Sequence, residues 1–467
     1  MEEYDLIIIG GGAGAFAAAI KANELGAKTA MVNTGLPLGG TCVNVGCVPS
    51  KTLLWVGEVM HQAKYHNIPG IDIEVKNFDF AQVVQHELDL VIKLRAEKYE
   101  KVLNGLENVT HIEGQATFVS PNEIEVNGQK YQAKKFIIAA GSTATVPPIE
   151  NIQEVGYLTH IEALQIKNLP EELVVVGAGP LGLEFAQMFA RFGTKVTILQ
   201  RNMSIFPPAE AELTSRLAEI LDLEGITIKT NAQVKSARIE GDKKILTYTA
   251  QDKQDEVSAD EILVATGKTP NTEGLGLNKI GVEINEKQAI KVNLQFQTSQ
   301  PHIYAVGDVI NLPIRQEPTA GREGTLVAEN ALNSTQNSID YNTVPWTIFT
   351  DPQLAGVGLT EEQEMKQLGR CLCRTVSFTD VPKAIIMNRT EGLIKMVVHP
   401  DTKVILGVHI LAPNAGELIA QAMMLVKNKN TIDDLVNSLP MFPTLSEAIK
   451  IVALSFTKDI SKLSCCV

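Results

Sequence analysis

Two stretches of this chain repeat one pattern, and the repeat limits the fold more than any other feature. Residues 5–15, Asp-Leu-Ile-Ile-Ile-Gly-Gly-Gly-Ala-Gly-Ala, lead into an Ala-rich segment and then an apolar run ending at Asn33. Residues 172–182, Glu-Leu-Val-Val-Val-Gly-Ala-Gly-Pro-Leu-Gly, lead into a second apolar segment and then a run ending at Gln200. Each reads as strand, glycine turn, helix, strand. In such a unit the first Gly makes the tight turn, the second lets backbone approach a pyrophosphate, and the third position must be small for the helix to lie on the strand. Gly10, Gly12 and Ala15 take these places in the first copy, with Gly14 between, and Gly177, Gly179 and Gly182 in the second. A lone motif of this kind is often only a turn. Two copies in matching context predict an α/β fold with two Rossmann-like nucleotide-binding domains.

The residue closing each unit selects the dinucleotide. An acid there accepts a ribose 2′-hydroxyl, but the second unit closes on Gln200 and Arg201, with no acid and a cation suited to a 2′-phosphate. This predicts NADPH; the alternative is that Arg201 is a solvated surface charge. The first unit closes on Asn33, a hydrogen-bonding residue without the carboxylate. Two further apolar strands end on glycine turns at Gly141 and Gly267, each reading as the return of a nucleotide-binding domain, and a third runs into Gly307-Asp308. Beyond about residue 342 the pattern changes to strands at 393–398 and 404–410 and helices at 415–427 and 444–457, a separate α+β domain without a nucleotide fingerprint.

At 467 residues the chain has room for about three domains and needs no staples. Fifty-four acidic against 41 basic residues leave a net charge of −13, which repels a polyanion over most of the surface and argues against nucleic acid as a partner. The apolar residues 6–20 are cut by four glycines and followed by Lys21, which predicts neither a membrane span nor a signal peptide. Six cysteines on such a chain predict a reducing cytoplasm, where paired cysteines are catalytic or metal-binding.

The most specific stretch is residues 39–51, Gly-Gly-Thr-Cys-Val-Asn-Val-Gly-Cys-Val-Pro-Ser-Lys. Cys42 and Cys47, entered through paired glycines and followed by an apolar helix, are placed to close a small disulfide against a flat cofactor, with helix amides and Lys51 favouring the thiolate. The other reading is two buried structural cysteines. On this motif and the duplicated glycine units the whole chain resembles the flavoprotein disulfide reductases, the family of glutathione reductase, dihydrolipoamide dehydrogenase and mercuric reductase. The resemblance implies FAD and NADPH as cofactors, with cofactor-binding residues at Gly10, Gly12, Gly14, Ala15, Asn33, Gly40, Thr41, Lys51, Ala116, Gly141, Gly267 and Asp308, the last toward the flavin ribityl chain. It implies Cys47 over the flavin as charge-transfer thiol, Cys42 as the exchanging thiol, and an ion pair of Lys51 with Glu184. It also implies four domains: 1–145 for FAD with the cysteine pair, 146–270 for NADPH, 271–341 as the central continuation, and 342–467 for homodimerisation.

Disulfide-reducing members carry His-Pro-Thr-x-x-Glu near the C-terminus, where the His protonates the leaving thiolate. Here the stretch is Phe442-Pro443-Thr444-Leu445-Ser446-Glu447, and the last His in the sequence is His409. Phe carries no proton. The sequence ends Ser464-Cys465-Cys466-Val467, and adjacent thiolates on a tail suit a soft metal that takes few sulfur ligands. This ending resembles mercuric reductases, in which the tail of one subunit passes Hg(II) to the cysteine pair of the other, and that branch commonly has Tyr where Phe442 stands. The function expected is NADPH-dependent reduction of Hg(II) to Hg(0), with Cys42, Cys47, Cys465 and Cys466 as both catalytic and metal-binding residues. A thioredoxin-reductase-like relay and a metal-sequestering flavoprotein are the alternatives. Cys371 and Cys373 alternate along an expected strand and read as ordinary strand positions or an extra metal contact.

Overall fold

A computed structural model describes residues 2–66 and 68–464. Cys465 and Cys466 lie outside the described residues. The chain divides into two compact units, one of residues 1–52, 82–145 and 267–341, the other of residues 53–81, 146–266 and 342–467.

In the first unit, strand β1 (Glu2–Ile9), helix α1 (Ala13–Glu24) and strand β2 (Thr29–Asn33) form the first predicted repeat. Residues 6–9 are all buried, as a parallel strand covered on both faces requires. β1 lies between β2 and the strand Gln129–Ile138, with Ile7 opposite Ala30 on one side and Phe136 on the other. The strands Val109–Glu113 and Ile303–Ala305 extend this parallel layer. An antiparallel hairpin, Thr117–Ser120 and Glu123–Val126, pairs with the start of Gln129–Ile138. Phe118, Phe136 and Phe296 fill the core beside it. The helix Glu317–Asn333 packs so tightly on α1 that a Cβ on Gly324 would stand 2.1 Å from the Gly14 carbonyl oxygen. The short strands Ser142–Ala144 and Lys268–Pro270 pair antiparallel and hold the Gly141 and Gly267 turns together.

In the second unit the other predicted repeat forms a four-stranded parallel sheet in the order Thr227–Lys229, Lys195–Leu199, Glu172–Val176, Glu261–Val264. The helix Pro180–Phe192 joins its two central strands. A five-stranded antiparallel sheet follows, ordered Trp346–Ile348, Gln353–Gly358, Ile405–Ala412, Leu393–Val398, Cys373–Ser377, with the helix Ala415–Lys427 packed on it. The strand expected at 404–410 is therefore shifted to Ile405–Ala412. The helix expected over 444–457 is shorter, Glu447–Leu454, because Pro443 has no amide to donate and the Thr444 amide and hydroxyl are bonded to the Glu447 carboxylate and the Met441 carbonyl. The strand expected across Cys371 and Cys373 begins only at Cys373, since the Leu372 amide turns to the Glu364 carboxylate. Among the described residues no helix is long and apolar enough to cross a membrane.

A buried ion network fixes this unit. Arg191 grips Glu224 with two nitrogens at 2.9 and 2.8 Å and approaches the Asp351 carboxylate to 3.2 Å. Arg389 binds the other Asp351 oxygen at 2.6 Å, and Gln187 closes the loop by exchanging hydrogen bonds with the Asp351 backbone. Burial alone would raise the Asp351 pKa, but Arg389 and Arg191 outweigh it and hold it below the ordinary 3.8. A depressed carboxylate pKa gives stability that is complete above the unfolded-state pKa and lost as pH falls through the folded one. Asp351→Asn should therefore cost about 3 kcal/mol near neutral pH by leaving the buried Arg191 and the half-buried Arg389 short of a charge. The gap between parent and variant in urea midpoint should close as pH is taken below 3.8; a gap independent of pH would contradict the assignment.

Candidate active site

The cysteine pair sits in the first unit on a corner made almost wholly by backbone. Gly39 and Gly40 both have left-handed backbone, φ 94° and 61°. A Cβ on Gly40 would come within 2.7 Å of the Gly12 Cα, and the Gly39 amide donates to the Gly11 carbonyl at 2.7 Å. The first turn of α1 and the helix α2 (Gly40–Val45) thus start side by side on a surface free of side chains. Asn44 locks the corner: its Nδ2 donates to the carbonyls of Pro37, Leu38 and Gly40 at 2.8 to 3.1 Å, and its Oδ1 accepts from Arg95.

Gly46 breaks the chain between α2 and helix α3 (Cys47–Tyr65). A Cβ there would stand 2.8 Å from the Thr41 carbonyl oxygen, so only Gly lets the backbone fold Cys47 back over Cys42. Cys42 is half-buried and Cys47 exposed. Cys42 is pushed far above the usual thiol range, first by its hydrogen bond with Cys47, then by burial and by the charges of Cys47 and Glu317. It holds its proton, while Cys47 stands at the first turn of a 19-residue helix, where the dipole favours an anion.

Three groups around this pair carried no sequence signal. Tyr99, in a π-helical turn Ala96–Glu100 that opens at Arg95, is raised to about 12 by burial and by Cys42, Glu317 and Cys47. Such turns inside α-helices often mark functional sites. Lys268 has its pKa lowered because burial outweighs the attraction of Asp308 and Cys47. Asp308 itself accepts a 2.6 Å hydrogen bond from the Ser142 hydroxyl. Behind it, Glu323 takes the Gly307 amide and the Tyr341 hydroxyl, and burial raises its pKa to about 7.

Of the other residues singled out in the first unit, Gly10 is φ 138° with no room for a Cβ, which would meet the Ala139 carbonyl at 2.2 Å. Asn33 lies against Gly11, its amide donating to the Leu36 carbonyl at 3.0 Å. Ala15 and Ala116 are buried in the core. Gly141 and Gly267 have open space where a Cβ would stand. The bare glycine corner, the two helix starts and Asp308 suit a group with a pyrophosphate and a hydroxylated chain, and FAD fits them.

In the second unit the Gly177 and Gly182 positions are again closed to any side chain, a Cβ on Gly182 standing 2.0 Å from the Gly177 carbonyl oxygen, while Gly179 faces open space at the start of Pro180–Phe192. Gln200 is buried and turned inward, accepting from the Ala178 amide at 3.3 Å and donating to the Ser204 carbonyl at 3.0 Å. It shapes the loop that would take the pyrophosphate; Arg201 beside it is exposed. Lys51 belongs to the first unit and Glu184 to the second, where the Glu184 carboxylate accepts the Phe349 amide at 2.9 Å. Phe442 is exposed, and Glu447, which would back a histidine there, is instead bonded to the Thr444 amide at 3.1 Å. His409 is buried in the five-stranded sheet with its Nε2 on the Leu359 carbonyl.

Residues 4–335 match the family described as pyridine nucleotide-disulphide oxidoreductase, and residues 344–453 match its dimerisation domain. The chain is 39% identical over 464 residues to the mercuric reductase of Staphylococcus aureus, covering 99% of this chain and 84% of that one. It is likewise 39% identical over 469 residues to the mercuric reductase of Streptomyces lividans, covering 99% and 98%. Among solved structures it is similar to the HOCl-induced flavoprotein disulfide reductase RclA from Escherichia coli, with a TM-score of 0.86 and 28% identity over 97% of this chain and 100% of that one. With two dinucleotide units, a dithiol on a helix corner and matches spanning almost its whole length, the chain belongs to the pyridine nucleotide-disulphide oxidoreductases.

Proposed function

We propose that this chain is a cytoplasmic, homodimeric enzyme that reduces Hg(II) to Hg(0) with NADPH. The observation that carries the choice of substrate is Phe442: the position where disulfide-reducing members keep a proton donor holds an exposed aromatic ring, and the acid that would orient that donor is spent on the Thr444 amide. Splitting a disulfide needs a proton for the leaving thiolate. Hg(II) held by two thiolates needs none: it takes two electrons, both sulfur bonds break, and Hg(0) leaves with the thiolates restored. The full-length similarity to mercuric reductases supports the same reading.

FAD, when bound, would supply two-electron transfer between NADPH and the cysteine pair. The glycine corner at Gly10, Gly12, Gly14 and Gly40, with Thr41, Asn33, Gly141 and Asp308, would hold it in residues 1–145 and 271–341. Residues 146–270 would hold NADPH, with Gly177, Gly179 and Gly182 against its pyrophosphate and Arg201 against its 2′-phosphate. Cys42 and Cys47 would bind the metal as a pair. Cys465 and Cys466 of one subunit would collect the ion from small thiols and pass it to Cys42 and Cys47 of the other, residues 342–467 forming the interface that brings them together.

Two outcomes test these assignments. C465A/C466A should lower the rate on thiol-ligated Hg(II) at least about 10-fold, as loss of delivery and positioning does, while leaving cofactor reduction by NADPH unchanged; an unaltered rate on thiol-ligated Hg(II) would remove the tail from the pathway. Arg201→Ala should raise the KM for NADPH about 10-fold through loss of a charged hydrogen bond and leave the KM for NADH where it was. Equal effects on both cofactors would show that Arg201 does not read the 2′-phosphate.

A further inference from the structure

The second unit holds another pair of cysteines that the proposed reaction does not use. Helix Glu361–Leu368 opens with a capping box at Thr360 and ends at Gly369, φ 71°, where the chain turns back into the strand Cys373–Ser377. Glu361 and Glu364 are three apart on that helix and so share a face, and Cys371 and Cys373 meet them from the returning segment. The Cys371 thiol lies 3.3 Å from Glu361 Oε1, and the Cys373 thiol 3.8 Å from Glu364 Oε2. One ligand atom from each of Glu361, Cys371 and Cys373 falls within 4.8 Å of the other two. Two atoms bound at about 2.3 Å to one ion stand at most about 4.6 Å apart, so closing these three on a cation takes only small side-chain movement.

A second, independent feature lies behind the three. Glu364 is fully buried, at 0% exposure, yet its Oε1 has no hydrogen-bond partner among the described residues. Its Oε2 accepts the Leu372 amide and faces Cys373. A buried carboxylate oxygen left unpaired is costly unless something positive reaches it. Lys395 is committed to Glu361 Oε2 at 2.5 Å, Glu210 at 3.1 Å and Glu212 at 3.4 Å, and the basic group whose charge acts on Glu364 is His399. The two carboxylates repel any thiolate beside them: burial first, then Glu361 and Glu364, raise the Cys371 thiol, and burial, then Cys371 and the same carboxylates, raise the Cys373 thiol. A divalent cation reverses that balance by pairing with both thiolates at once.

We propose that Cys371, Cys373 and Glu361, backed by Glu364, form a binding site for a thiophilic divalent cation, distinct from the Cys42 and Cys47 pair. Two sulfurs and a carboxylate oxygen are the donor set of zinc-class ions rather than of magnesium or calcium. Binding breaks two S–H bonds, forms two sulfur–metal bonds and releases two protons to solvent, with no change of oxidation state. The site is built within the segment that matches the dimerisation domain, where a bound ion would tie the helix Glu361–Leu368 to the sheet edge at Cys373.

Cd(II), added as the metal alone, is the probe, because its thiolate complexes absorb in the ultraviolet. In the full chain carrying C42S, C47S, C465S and C466S, one Cd(II) per chain should bind with a thiolate-to-metal band. Adding C371S and C373S should abolish the band, and E364Q should weaken binding about 10-fold, as loss of a supporting group around a metal does. No band, or a band that survives C371S and C373S, overturns the site. The parent protein gives a test without any variant: Cd(II) should protect Cys371 and Cys373 from alkylation, read peptide by peptide by mass spectrometry, and unprotected thiols at saturating Cd(II) would overturn it equally.

Discussion

Gly40 and Gly12 meet with no side chain between them, close enough that a single Cβ on Gly40 would stand 2.7 Å from the Gly12 Cα. That approach sets the start of α2 beside the start of α1, so their free amides point to one place and Cys42 is carried with them. Asn44 spends its whole amide group on holding the corner. Gly46 then permits the reversal that returns Cys47 to Cys42. The anion-binding surface and the dithiol are therefore one construction: a methyl group at Gly40 or Gly46 would disturb both together.

The electrostatics of the pair follow from its placement. Cys42 shares a hydrogen bond with Cys47, is half-buried and faces Glu317, so its proton is held firmly. Cys47 is exposed at a helix start. One sulfur is thus the store of the proton and the other the reactive edge, an asymmetry that a soft cation removes by binding both. Phe442 itself carries no proton to donate, and Glu447 serves the backbone.

Much of this was legible in the sequence because backbone geometry dictates it. Gly10, Gly177 and Gly182 stand where carbonyl oxygens exclude a Cβ, so the residue type reports the fold directly. The apolar run at residues 6–9 likewise announces a strand covered on both faces. What could not be read depends on approach between distant segments. Tyr99, Lys268 and Glu317 reach the cysteine pair from three separate elements with no shared motif, and Glu323 is a helix residue like any other until the fold brings Gly307 and Tyr341 to it. Cys371 and Cys373 were visible as a pair, but not that Glu364 would draw the Leu372 amide out of the strand. The helix start at Glu447 was misplaced for the same reason, local side-chain hydrogen bonds having overridden the apolar periodicity.

The central claim, that the electrons of NADPH go to a metal ion and not to a disulfide, is tested most directly by following NADPH oxidation by the FAD-loaded protein in parallel reactions. One contains Hg(II) in excess small thiol; the others contain oxidised glutathione, lipoamide or oxidised thioredoxin. The account predicts oxidation with Hg(II) alone, with volatile mercury released in step. Oxidation sustained by any of the disulfides, with none driven by Hg(II), would contradict it and would require a proton donor in place of Phe442.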